Sequence, residues 1–277
     1  AAATLSYCIT TVQVGELLLD LHQTTGRAAY RDAACDVAEW LLEENGGERQ
    51  EGLWRLYYAP HPNLQFPVVN PTAMASGLLA GLALATRSPR YEQAALETAA
   101  WVAQQQRPDG SWPYSGQGEA IDNVHTGFTL EGLWTTCRIY GRPELGSAAE
   151  RGTRYYWRRC FLKDGRGLEQ PLSAWSDWRS VSAKAWLRDR LAACGRPPRS
   201  LPESRLHGYA SALRVLALAT RARGAWAEPG RRVAEYVNRH LAQADGSYRF
   251  RGDDERTFIR QEAHMFDALA CLAEVVS

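Results

Sequence analysis

Three short stretches crowd groups that bind and move protons. They are Asp122-Asn123-Val124-His125, Glu203-Ser204-Arg205-Leu206-His207-Gly208-Tyr209 and Arg260-Gln261-Glu262-Ala263-His264. A fourth, Asn70-Pro71, brings an amide with Pro at a first helical position. Imidazoles beside an arginine suit acid–base chemistry on an anionic substrate: the cation neutralises a carboxylate, and a neutral imidazole takes a proton. In this reading His125, His207, His264, Tyr209 and Asp122 are the catalytic candidates. Asn70, Asn123, Arg260 and Glu262 are candidates for binding, and Trp112 and Tyr114 for stacking on sugar rings. Each has a structural explanation as well. Asp122 and Asn123 are good N-caps, the histidines fit a hydrogen-bonded core, and Arg260 with Glu262 fits a surface ion pair. His22, His61 and His240 lack such company and read as bystanders.

Each of the four stretches opens a segment with helical periodicity. Helices are expected near 6–22, 30–44, 71–86, 90–105, 123–140, 146–161, 176–193, 205–222, 229–242 and 257–275. Two kinds alternate. Met74-Ala-Ser-Gly-Leu-Leu-Ala-Gly-Leu-Ala-Leu84 is apolar all round, as a helix buried on every side must be. Segments 90–105 and 229–242 carry one charged face. Inner helices ringed by outer ones would give this pattern, with 71–86, 123–140, 205–222 and 257–275 inside and 30–44, 90–105, 146–161 and 229–242 outside. The four polar entries would then meet at one rim. No convincing alternating strand of useful length is present.

The loops repeat too. Asp109-Gly-Ser-Trp112 and Asp245-Gly-Ser-Tyr248 each follow an amphipathic helix, Asp164-Gly165 follows another, and Gly52-Leu53-Trp54 closes the loop after 30–44. Asp-Gly makes a tight turn and the aromatic plugs the gap between hairpins. The expected fold is all-α: an α/α toroid of helical hairpins, incomplete at the N-terminus. It forms a single domain over 1–277 with a helical insertion at 162–204. That insertion, with Trp175, Trp178 and Trp186, is expected to fold over one rim as a lid.

Composition narrows the partners. Hydrophobic residues make up 45%, which argues against disorder. The net charge of +1 points to neither nucleic acid nor an anionic membrane. No apolar run approaches the ~18 residues of a membrane span. Cys8, Cys35, Cys137, Cys160, Cys194 and Cys271 are widely spaced, without a C-x-x-C pair. They read as small buried hydrophobes in a reducing, cytoplasmic setting, and no metal site or cofactor is expected.

Two family resemblances emerge. Gln106-Arg-Pro-Asp-Gly110-Ser-Trp112 resembles the Q-x-x-x-G-x-W repeat of squalene and hopene cyclases, although their D-x-D-D acid motif has no counterpart. Asn70-Pro71, Ser76-Gly77-Leu78, Asp109-Gly-Ser-Trp112 with Tyr114, Ile121-Asp-Asn-Val-His125-Thr-Gly-Phe128 and Leu130-Glu-Gly-Leu133 resemble another group. It comprises bacterial polysaccharide-biosynthesis toroid proteins and the C-terminal helical domain of glucuronyl C5-epimerases. His207-Gly-Tyr209 and Arg260 to Phe266 extend that likeness. The resemblance implies a carbohydrate-active enzyme on an acidic, uronate-containing glycan. It would work by epimerase- or lyase-type proton abstraction, or by hydrolysis with Asp122 and Glu262 as a carboxylate pair roughly 5–9.5 Å apart. The alternatives are a terpenoid cyclase or prenyl-binding enzyme, and a non-catalytic glycan-binding or scaffold toroid.

Overall fold

A computed structural model describes residues 6–114, 120–173, 183–195 and 201–276. Helices dominate it. They are α1 (Cys8–Thr25), α2 (Ala28–Trp40), α3 (Val69–Thr86), α4 (Pro89–Gln104), α5 (Asn123–Tyr140), α6 (Pro143–Cys160), α7 (Ala183–Ala193), α8 (Leu206–Arg223), α9 (Ala227–His240) and α10 (Ile259–Val276). One antiparallel hairpin pairs β1 (Gly47–Gln50) with β2 (Leu53–Leu56). The sequence reading gave this stretch as loop. Its period-2 signal is a single strand, Leu53-Trp-Arg-Leu56, in which Trp54 and Leu56 are buried.

By internal contacts the chain forms two compact units. The first holds residues up to 120 and 128–152, the second 121–127 and 153–277. Helices α5 and α6 therefore contribute to both.

In the first unit α3 is the core helix, buried from Val69 to Ala80 without a break. It is long and apolar enough to cross a membrane, and 83% of it is buried inside the protein. Ser76 and Thr136 join α3 to α5 through their hydroxyls, 2.9 Å apart. The flanking α4 is amphipathic, as expected. It starts on the Ser88 side chain, which accepts from the Tyr91 N–H, with Pro89 at the first helical position.

In the second unit α8 plays the core role, with Leu206, Tyr209, Leu213, Leu216 and Ala217 buried. The amphipathic α9 buries Gly230, Val233 and Val237. α10 was expected inside and differs. Only Met265, Ala268 and Leu272 are buried, on the one face that meets α8 and α9. Ile259 and Phe266 on its other faces are exposed. The sequence could not show this, because an apolar stripe looks the same covered or bare.

The Asp-Gly turns are one structure used three times. Arg107, Leu162 and Gln243 each donate their N–H to the carbonyl four residues on, at Ser111, Arg166 and Ser247. In each turn the Asp carboxylate accepts the N–H two residues ahead, at 3.0–3.1 Å. Gly110, Gly165 and Gly246 all take positive φ, 94°, 89° and 87°. That conformation is open to Gly and costly for other residues. Trp112 and Tyr248 follow two of the turns at matching positions. The Trp112 indole N–H donates to the Val102 carbonyl, and the Tyr248 hydroxyl reaches Asn238 on α9.

The segment between α6 and α8 packs on a small core of its own, Leu162, Leu168, Leu172, Ala192 and Leu201. α7 covers the described part of the 176–193 expected, and the start of that range lies outside the described residues. Its buried Asp189 accepts from both the N–H and the hydroxyl of Ser173. Trp175 and Trp178, which motivated a lid, lie outside the described residues.

Candidate active site

In the second unit the starts of α5, α8 and α10 gather the ionisable groups that the sequence singled out. Asp122 caps α5, one carboxylate oxygen accepting the His125 backbone N–H at 2.9 Å. The other lies 2.5 Å from His125 Nδ1. Burial pushes the Asp122 carboxyl up, but the His125 hydrogen bonds and charge, with Arg205, bring it below its ordinary value. Asp122 and the His125 Nδ1 thus form one hydrogen-bonded pair at the start of α5.

His207, on the first turn of α8, stacks on His264 of α10 with centroids 4.5 Å apart and planes at 22°. Burial, then the charges of His264, Arg260, Arg205 and His125, hold the His207 imidazole down to about 3. Burial, then Arg214 and Arg260, hold His264 down to about 4, with Asp267 opposing. Both rings are neutral near neutral pH. Arg260 is exposed at the start of α10, and its charge acts on both.

Three of the sequence candidates have structural work instead. Asn123 is fully buried; its side-chain oxygen accepts from the Tyr156 hydroxyl at 2.8 Å and its amide reaches the Cys160 carbonyl. It pins α5 to α6. Gly208 faces it so closely that a Cβ there would lie 2.7 Å from the Asn123 side-chain oxygen and 2.2 Å from Ser204 Oγ. Tyr209 is fully buried, donates to Glu203 at 2.7 Å and accepts the Gly167 N–H at 3.0 Å. Burial and the Glu203 charge push its phenol far above the ordinary value. Glu262 accepts the Tyr248 backbone N–H at 2.7 Å, closing the turn before α10. That engagement argues against its pairing with Asp122 as a hydrolytic carboxylate.

Asn70, Trp112 and Tyr114 belong to the first unit. Asn70 is buried at the start of α3, and its side-chain oxygen has no hydrogen-bond partner. Trp112 is 3% exposed, so it plugs the core rather than offering a face to a sugar. Tyr114 is half-buried and its carbonyl accepts the Val69 N–H.

Sequence reasoning missed the Arg205–Glu169 ion pair and Arg214. A signal for Arg214 was present. His207, Arg214 and Arg221 recur at seven-residue spacing on α8, and Arg260, Asp267 and Glu274 do so on α10. Two members of each series meet, Arg214 with Asp267 at 2.9 Å and Arg221 with Glu274, while His207 meets His264, one turn beyond Arg260. Among the described residues no three His, Cys, Asp or Glu side chains converge as metal ligands.

No protein-family model matches the sequence. No curated protein matches it either. Solved structures do. The unsaturated glucuronyl hydrolase of Bacillus sp. GL1 matches with a TM-score of 0.73 at 13% identity, over 98% of this chain and 75% of that one. A D-mannose isomerase matches with a TM-score of 0.71 at 11% identity, over 98% and 71%. The cellobiose 2-epimerase of Bacillus thermoamylovorans matches with a TM-score of 0.58 at 13% identity, over 98% and 88%. At such identities the likeness shows the fold, and the fold is the α/α toroid.

Proposed function

We propose that this chain is a carbohydrate-active enzyme that moves a proton on an acidic, uronate-containing glycan. The observation that carries the reading is the neutral His207–His264 stack in the same unit as the Asp122–His125 pair. Abstraction at C5 of a uronate needs a base that is unprotonated at working pH and positive charge near the carboxylate. His207 or His264 is the base. Arg260 supplies the charge. His125 returns the proton, which makes the cycle an epimerisation, or protonates a leaving group, which makes it a lyase. Support comes also from the toroid structures it resembles, which include a glucuronyl hydrolase, a mannose isomerase and a cellobiose epimerase. Hydrolysis by Asp122 and Glu262 is disfavoured by the Glu262 contact to Tyr248. A terpenoid cyclase needs a dry aromatic lining, and the groups gathered here are charged or hydrogen-bonding.

The test is incubation with uronate-containing glycans, and with mannose and cellobiose, in deuterated water. Deuterium at uronate C5, or an unsaturated uronate product, is the expected result. Exchange only in the neutral sugars would overturn the substrate class. Inertness towards all of them would favour a glycan-binding or scaffold toroid.

A further inference from the structure

The β1–β2 hairpin and the end of α4 border a polar groove that lies wholly within the first unit. Its volume is about 520 Å³, inside the ~300–1,000 Å³ range of small-molecule sites. Strand register builds the hairpin side. Glu48 pairs with Arg55 and Gln50 with Leu53, and these four residues share one face of the ribbon. Trp101, Gln104 and Gln105 line the groove from the helix side.

The lining has matched charges and unmatched amides. Arg55 is paired with Glu48. Arg49 meets Glu97 at 3.4 Å and covers the Trp54 ring at 4.2 Å. Both arginines of the groove are therefore engaged already. The amides are not: among the described residues, the side chains of Gln50, Gln104 and Gln105 take no hydrogen bond. A primary amide both donates and accepts, and a sugar hydroxyl answers both roles. Leu53 adds apolar surface for the C–H face of a pyranose ring.

The turn is an independent mark. Glu51 and Gly52 form the two-residue loop of the hairpin, at φ 52° and 76°. A loop with both residues at positive φ favours Asn, Asp or Gly in the first place. Glu there is strained, and strain of this kind collects where a side chain is needed for function. The strained Glu51 lines the groove. We infer that this groove binds a neutral oligosaccharide segment, with Gln50, Gln104 and Gln105 reading its hydroxyls and Glu51 held as a further acceptor. The inference goes beyond the proton transfer proposed for the histidines and does not rest on it.

The experiment uses the full chain with cellotetraose and mannotetraose as neutral probes and tetragalacturonate as the charged one. Saturation-transfer NMR and side-chain amide shifts read the binding. A neutral tetrasaccharide should move the amide signals of Gln50, Gln104 and Gln105. The Q50A/Q104A double variant should weaken that binding about tenfold or more. Both side chains are exposed, and an unchanged thermal midpoint checks that the fold is intact. E51G relieves the strained turn and deletes an acceptor, so it should unfold at higher temperature and bind the sugar more weakly. Four results would overturn the inference: neither neutral probe binds, binding survives Q50A/Q104A, tetragalacturonate binds these amides more tightly, or E51G keeps full affinity. Groove binding without turnover of any glycan leaves this site standing and removes the proposed reaction. Turnover without groove binding does the reverse.

Discussion

The imidazoles of His207 and His264 lie face to face, 4.5 Å between centroids, although 57 residues of chain separate them (264 − 207). Two imidazolium ions at that distance would repel, so the stack exists only while at least one ring is neutral. The contact thus ties the structure of α8 and α10 to pH.

That link gives the first prediction. An unfolded histidine titrates near 6.5, and in the native chain His207 and His264 are held at about 3 and about 4. Between those values the unfolded chain binds protons that the native one does not. Stability therefore falls as pH drops from about 6.5 towards 3, and is level for these groups above 6.5. Urea unfolding midpoints measured across this window should show the decline. H264Q should flatten it; an unchanged slope would remove His264 from the account.

The rung below the stack makes a second prediction. Arg214 lowers the proton affinity of His264, and Asp267, its partner at 2.9 Å, raises it. R214Q should move the His264 titration up, and D267N should move it down. Imidazole chemical shifts read this directly. Shifts of the same sign in both variants would show that the ladder perturbs the helices rather than the charge.

Much of this arrangement was legible in the sequence, for reasons that differ by element. The Asp-Gly turns were clear because a residue at positive φ and a carboxylate two residues before an N–H are local demands. The core helices α3, α5 and α8 were clear because a segment apolar on all sides has nowhere else to go. β1 was not, since Gly47-Glu-Arg-Gln50 has no apolar alternation at all. Trp112 plugs its hairpin, one of the two roles the sequence offered, because an aromatic after a loop looks the same whether it faces a ligand or fills a gap. Arg205 and Glu169 were invisible because their contact depends on how two loops cross, which no spacing along the chain encodes. Asn123 and Tyr209 lie beside His125 and His207 in sequence, but helical geometry turns them into the core. Neighbouring positions on a helix do not share a face.

Asp122 separates two roles at one position, and substitutions can part them. Asparagine also caps helices well, so D122N should keep α5 intact, with a stability change of less than about 1 kcal/mol. It loses the charge that orders His125, and turnover should drop by about 10²-fold or more. D122A loses the cap as well and should cost a further ~1 kcal/mol. Thermal unfolding and glycan turnover measured on both variants test this. Full activity in D122N would show that His125 needs no carboxylate.

Tyr209 decides between chemistry and scaffolding. Its hydroxyl donates to Glu203, which also receives the Tyr236 hydroxyl at 3.0 Å, and it accepts from the Gly167 N–H. Deleting that oxygen leaves a buried N–H without an acceptor and a carboxylate short of one donor. The loss should be about 1–3 kcal/mol of stability, the cost of an unsatisfied buried polar group. The ring itself stays, stacked on Tyr236 with centroids 5.7 Å apart, so the fold should survive. Y209F is therefore expected to lower the urea midpoint while the folded enzyme keeps its turnover number. A catalytic phenol would give the reverse: unchanged stability and a turnover number reduced by about 10² or more. Measuring both quantities on the same preparation distinguishes the two, because the structural role predicts that turnover recovers fully below the temperature at which the variant begins to unfold.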